Sequence, residues 1–79
     1  MVIFMKLTDI KLGEKATVIK VCGLPSIVRR LQDMGLVEGC TVVPMMKSPF
    51  GDPTAYGVLG SVIAIRDYDA KNIVVASNE

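Results

Sequence analysis

With 79 residues the chain has room for a single domain, and nine basic against eight acidic side chains give a net charge of +1, too little for a long-range field that gathers nucleic acid or anionic lipid. Hydrophobic residues at 51% against 22% charged exclude a disordered chain, and the charges interrupt every apolar run before it reaches membrane-spanning length. Histidine is absent and Cys22 and Cys40 are the only cysteines; this excludes a closed zinc site and a disulfide framework, and both thiols are expected to be free, buried and in a reducing compartment.

The chain opens on an apolar stretch from Met1 to Met5 that meets Lys6, Asp9, Lys11 and Glu14 too soon for a signal peptide. It is therefore expected in the cytosol. Val2, Ile3 and Phe4 form either a short apolar extension (residues 1–4) ahead of an initiating Met5, or a first β-strand. If exposed, they would favour self-association. A turn at Leu12, Gly13 and Glu14 then leads into a strand over residues 15–22, where Thr17, Ile19 and Val21 alternate with Ala16, Val18 and Lys20. Lys20 is the one charge in the second set. Gly23 ends the strand.

The period changes after Gly23. Leu24, Ile27, Val28, Leu31 and Met34 follow the i, i+3, i+4, i+7 spacing of an apolar helical stripe, which predicts a helix over residues 25–34. Pro25 suits the first turn and Ser26 is a competing N-cap. Gly35 supplies a left-handed residue past the last turn, and Leu36 beyond it can touch Leu31, as in a Schellman stop. Arg29, Arg30, Gln32 and Asp33 make the opposite, solvated face.

Gly39 marks a tight turn into a second strand over residues 41–47, with Val43 and Met45 on one face and Val42 and Met46 on the other. Pro44 cannot donate to a ladder, so it is expected at an edge or a bulge. A stiff loop over residues 48–53 carries Phe50 between two prolines. Three short strands follow, over residues 54–59, 61–66 and 72–76, joined by turns at Gly60 and over residues 67–71. The pattern predicts a mainly β fold: a small, partly open barrel with one short helix inserted between its first two long strands.

No nucleophile with a base, no carboxylate pair and no metal-ligand spacing stands in the sequence, and without histidine general acid or base work near neutral pH has no ready carrier. The chain is expected to bind, not to catalyse, and no cofactor is expected. Small barrels bind protein segments in surface grooves or nucleic acid on aromatic, basic sheet faces. Here the four aromatics are scattered and three of them neighbour Asp52, Asp67 and Asp69, which favours protein.

Leu7, Asp9 and Gly13, then Arg30, Leu31, Met34, Gly35, Leu36 and Gly39, followed by Pro49-Phe50-Gly51-Asp52-Pro53 and by Ala64, Ile65, Arg66, Ala70 and Ile73, resemble the FeoA family in order and spacing over residues 5–75. One departure is Tyr56-Gly57-Val58, where the family usually has an alternating strand. The resemblance implies an SH3-like barrel acting as a cytosolic accessory to FeoB, the membrane ferrous-iron permease with a GTPase domain. It implies an adaptor recruited to the inner face of the membrane through its partner. A nucleic-acid or ribosome-binding barrel and a metal-responsive regulatory domain are the alternative readings.

Seven residues are candidates for partner contact. Arg29 and Arg30 can meet acidic surface, because arginine is enriched at binding hot spots. Met34 and Met46 can line an adaptable apolar groove, although core filling by Met34, Met45 and Met46 is the stronger expectation. Pro49 and Phe50 hold an aromatic on a stiff loop that loses little entropy on binding. Tyr56 completes the set. Arg66 is expected to be structural, paired with Asp52, Asp67 or Asp69.

Overall fold

The computed structural model describes residues 2–78. Six strands form one antiparallel sheet: β1 (Val2–Lys6), β2 (Ala16–Val21), β3 (Thr41–Lys47), β4 (Thr54–Val58), β5 (Ser61–Ile65) and β6 (Ile73–Asn78), in the order β1-β6-β2-β3-β4-β5. Helix α1 (Pro25–Asp33) lies between β2 and β3, and a one-turn helix, α2 (Asp67–Ala70), between β5 and β6. The sheet does not close by strand pairing. Its ends curl together until α2 packs on the 3-10 turn Leu7–Asp9 that follows β1, so the barrel is partly open, as the turn spacing predicts.

Val2, Ile3 and Phe4 belong to a strand: β1 pairs with β6 from Val2 opposite Asn78 to Lys6 opposite Val74. The fully buried side chains include Leu7, Leu31, Leu36, Val42, Ile65, Ile73 and Val75, so nearly every element contributes to one core. Helix α1 enters that core through Leu31, with Ile27 and Val28 half-buried beside it. The ends of its predicted stripe, Leu24 and Met34, lie exposed. Leu24 is the N-cap and Pro25 the first helical residue, so Ser26 is inside the helix.

The helix stop follows the sequence closely. Leu36 N–H donates to the Leu31 carbonyl and Gly35 N–H to the Gln32 carbonyl, both at 3.0 Å, with Gly35 at φ +104. This is the double closure of a Schellman motif.

Two bulges overturn the simple alternation. In β2 the register against β6 shifts between Val18 and Lys20, so Ala16, Val18 and Val21 face inward and both Ile19 and Lys20 face out. The extra residue lets the strand bury Val21 and keep the lysine in water. In β3 the register against β4 shifts between Pro44 and Met46. Pro44 sits at this bulge, buried and opposite Tyr56, and its carbonyl accepts from Gly13 N–H at 2.8 Å. Both Met45 and Met46 consequently point outward, which corrects the expected sharing of a face by Val42 and Met46 and the expected core role of the methionines.

Candidate docking surface

The loop over residues 48–53 is held in shape by its own backbone. Gly51 N–H donates to the Ser48 carbonyl at 2.8 Å, Ser48 N–H to the Pro53 carbonyl at 3.1 Å, and the Ser48 hydroxyl to the Asp52 carbonyl at 2.7 Å. Proline at the second position and glycine at the fourth fit a type I turn. Phe50, at the third, stands 96% exposed. An apolar ring held in water on a rigid support has the character of an interface anchor.

Asp52 ties this loop to the far end of β5. Its Oδ1 accepts the Asp67 N–H at 2.9 Å, which caps the first turn of α2, and its Oδ2 lies 3.9 Å from the Arg66 guanidinium. Sequence reading gave Asp52 a place in the loop motif and a candidate pairing with Arg66, but not this cap. No local signal announces the cap, because Asp52 lies fifteen residues ahead of Asp67-Tyr68-Asp69-Ala70, a segment read as a plain turn. Arg30 reaches Asp69 of α2 at 3.8 Å. Both ion pairs are loose and both arginines are largely exposed, so each pair contributes at most about 1 kcal/mol. Their two guanidinium groups remain open to competing carboxylates.

Arg30 and Met34 therefore share a groove of about 400 Å3 with Leu31, Ala64, Ile65 and Arg66. Arg29 lies exposed on the same helix without lining that groove. Pro49 and Phe50 project at the end of the β3–β4 hairpin, and exposed Met46 leads into it. A second, apolar groove of about 480 Å3 crosses the outer face of β3, β4 and β5, lined by Val43, Met45, Gly57, Leu59 and Val62 among others. Met45 lies so close over Gly57 that a Cβ there would meet its sulfur at 3.0 Å.

Tyr56 does not belong to the docking surface. It is 2% exposed and part of the core, because Thr54, Tyr56 and Val58 form the inward face of β4. The strand alternates after all, with Gly57 on its outer face. Burial raises the pKa of the Tyr56 phenol above its ordinary value of 10, opposed by the neighbouring Thr54 hydroxyl and reinforced by the Asp67 and Asp52 carboxylates. The Thr54 hydroxyl falls short of hydrogen-bond geometry and is buried without a partner. Since the folded state holds the Tyr56 proton more tightly than the unfolded chain, its contribution is complete below pH ~10 and lost as pH rises from there through the raised value. Thermal melts across that window are expected to show a steeper alkaline loss for the parent than for Tyr56→Phe; equal slopes would refute the assignment.

Cys40 is buried, but Cys22 is only half-buried, at the end of β2. Among the described residues no group of three or more Cys, Asp or Glu side chains is arranged to hold a metal ion. No described helix is long and apolar enough to cross a membrane.

A family model described as the FeoA domain matches residues 5–77. The chain belongs to the FeoA family. A FeoA/FeoB fusion protein from Porphyromonas gingivalis, named as Fe(2+) transport protein A joined to the Fe(2+) transporter FeoB, is 30% identical over 71 residues. That match covers 90% of this chain and 8% of the relative, so the chain spans a small fraction of the fusion protein's length. The solution structure of FeoA from Chlorobium tepidum superimposes with a TM-score of 0.89 at 35% identity, over 95% of this chain and 71% of that one. The zinc-complexed FeoA of Stenotrophomonas maltophilia, described as an SH3 domain protein, gives 0.79 at 35% identity, over 90% and 88%. The FeoA fold here is thus the SH3-like barrel implied by the sequence resemblance.

Proposed function

We propose that this FeoA domain is a non-enzymatic, cytoplasmic accessory that docks on the cytosolic part of a FeoB-type transporter and modulates it. The observation that carries the reading is the Porphyromonas gingivalis relative, in which a FeoA domain and the transporter share one polypeptide. Covalent joining raises the effective concentration of one module for the other, which has value where the two must meet. The docking reading is supported by Phe50, an almost fully exposed aromatic on a loop braced by three internal hydrogen bonds. The protein's own chemistry offers recognition: apolar grooves, two loosely engaged arginines and an exposed ring.

Calorimetric titration of the domain into the cytosolic GTPase part of FeoB, with GDP and with a non-hydrolysable GTP analogue, tests this. Binding is expected, and Phe50→Ala is expected to weaken it about tenfold, the loss of roughly 1.4 kcal/mol typical of an aromatic anchor. Because Phe50 packs on so little of its own fold, the variant should melt like the parent. Absence of binding in both nucleotide states would refute the reading.

A further inference from the structure

Strand β5 ends the sheet, and its backbone shows which of its groups are free. The β4–β5 hairpin turns through Leu59 and Gly60, both at positive φ (+49 and +80), with Val58 opposite Ser61. That is a two-residue turn of the I′ type, in which the residues flanking the turn exchange hydrogen bonds. Bonding toward β4 therefore falls to Ser61, Ile63 and Ile65, and the N–H and C=O groups of Val62 and Ala64 point away from the sheet.

Natural sheets protect such an edge with charge, proline or a bulge. β5 has none: Ser-Val-Ile-Ala-Ile carries no charge and no proline, and its register against β4 runs without a shift. The other edge, β1, carries Lys6. Apolar side chains flank the β5 edge as well. Val62 joins Met45 and Leu59 in the outer groove, and Ala64, on the same face of the strand, lines with inward-facing Ile65 the groove of about 400 Å3 that Leu31, Met34, Arg30, Arg66 and Asp69 complete. Leu59 adds a further sign. A leucine in the left-handed region is costlier than the Asn or Gly usual there, yet this one is held 71% exposed beside the edge.

Charge decides the occupant. Arg30 and Arg66 both line the groove, each held only by one loose carboxylate contact, 3.8 Å to Asp69 and 3.9 Å to Asp52. We infer that β5 is a strand-addition site: it takes an extended segment of the partner protein as a seventh strand, with apolar side chains on both faces and a carboxylate that replaces Asp69 at Arg30 or Asp52 at Arg66. Main-chain bonds to Val62 and Ala64 supply register, and the flanking grooves select side chains. The inference rests on the docking proposed above and assigns it a surface.

Amide hydrogen exchange on the labelled domain, alone and with the cytosolic GTPase part of FeoB, separates the two claims. In the complex the Val62 and Ala64 amides are expected to gain protection, and those of Ser61 and Ile63, already bonded to β4, to change little. Ala64→Pro removes an outward N–H that the fold does not use, and Arg30→Glu with Arg66→Glu reverses the groove's charge; each is expected to weaken binding at least about tenfold. A complex that forms while Val62 and Ala64 exchange freely would overturn the strand-addition site and leave the accessory role intact. No complex would overturn both. Protection that grows with the domain's own concentration in the absence of FeoB would give the edge to a second copy and overturn the choice of occupant.

Discussion

Leu31→Ala is expected to cost the fold about 2–5 kcal/mol, read as a lower urea midpoint with little change in slope. Leu31 is 2% exposed and is the only fully buried side chain of α1, whose Ile27 and Val28 are half-covered. Deleting it leaves a cavity that the neighbouring strands cannot close, since ladder pairing holds their backbones in place and the side chains around it are already close-packed. A domain of 79 residues has roughly 4–12 kcal/mol of stability in total, so the loss is a large share of what holds it folded. A loss below about 1 kcal/mol would mean that α1 contributes little to the core.

Gly35→Val is the second large effect, with an expected cost of about 1–3 kcal/mol. Space is not the obstacle: a Cβ at Gly35 would meet Leu59 and Val58 at 3.6 and 3.7 Å, ordinary contact distances. The obstacle is φ, because +104 lies in a region a β-branched residue strongly disfavours. Relaxing φ would break the paired hydrogen bonds from Gly35 to Gln32 and from Leu36 to Leu31, and Leu36 is fully buried. Gly35→Asn, a residue that tolerates positive φ better, should lose clearly less in the same denaturation experiment; equal losses would point to crowding as the cause.

These two positions also show what the sequence makes legible. Met34-Gly35-Leu36 specifies a helix stop by local chemistry alone, so the end of α1 could be read within a residue. The bulges could not. Whether Lys20 or Val21 turns inward depends on a register shift against β6, a strand some fifty residues away, and no feature of residues 15–22 announces it. The same holds for Met45 and Met46, which a bulge opposite β4 places in water. The docking surface divides along the same line. The exposure of Phe50 was readable because its loop is stiff and local, and the nearness of Arg30 and Met34 because they lie one turn apart on one helix. Their meeting with Ala64 and Arg66 is a tertiary fact. Tyr56 was assigned to the surface although its own period, Thr54-Tyr56-Val58 buried and Ala55-Gly57 half-buried, is that of an ordinary strand; the glycine masked the alternation, since a missing side chain carries no hydropathy.

The pairing of β1 with β6 brings Val2 opposite Asn78. A tether attached near either residue leaves the domain from the same corner, on the strand pair at the opposite end of the order from β5. A FeoA domain on such a leash can be linked to a larger protein through its first or its last strand without using the backbone of its other edge. Covalent attachment and the proposed capture at β5 then draw on separate parts of one small sheet, and gaining or losing the link need not remodel the proposed docking edge.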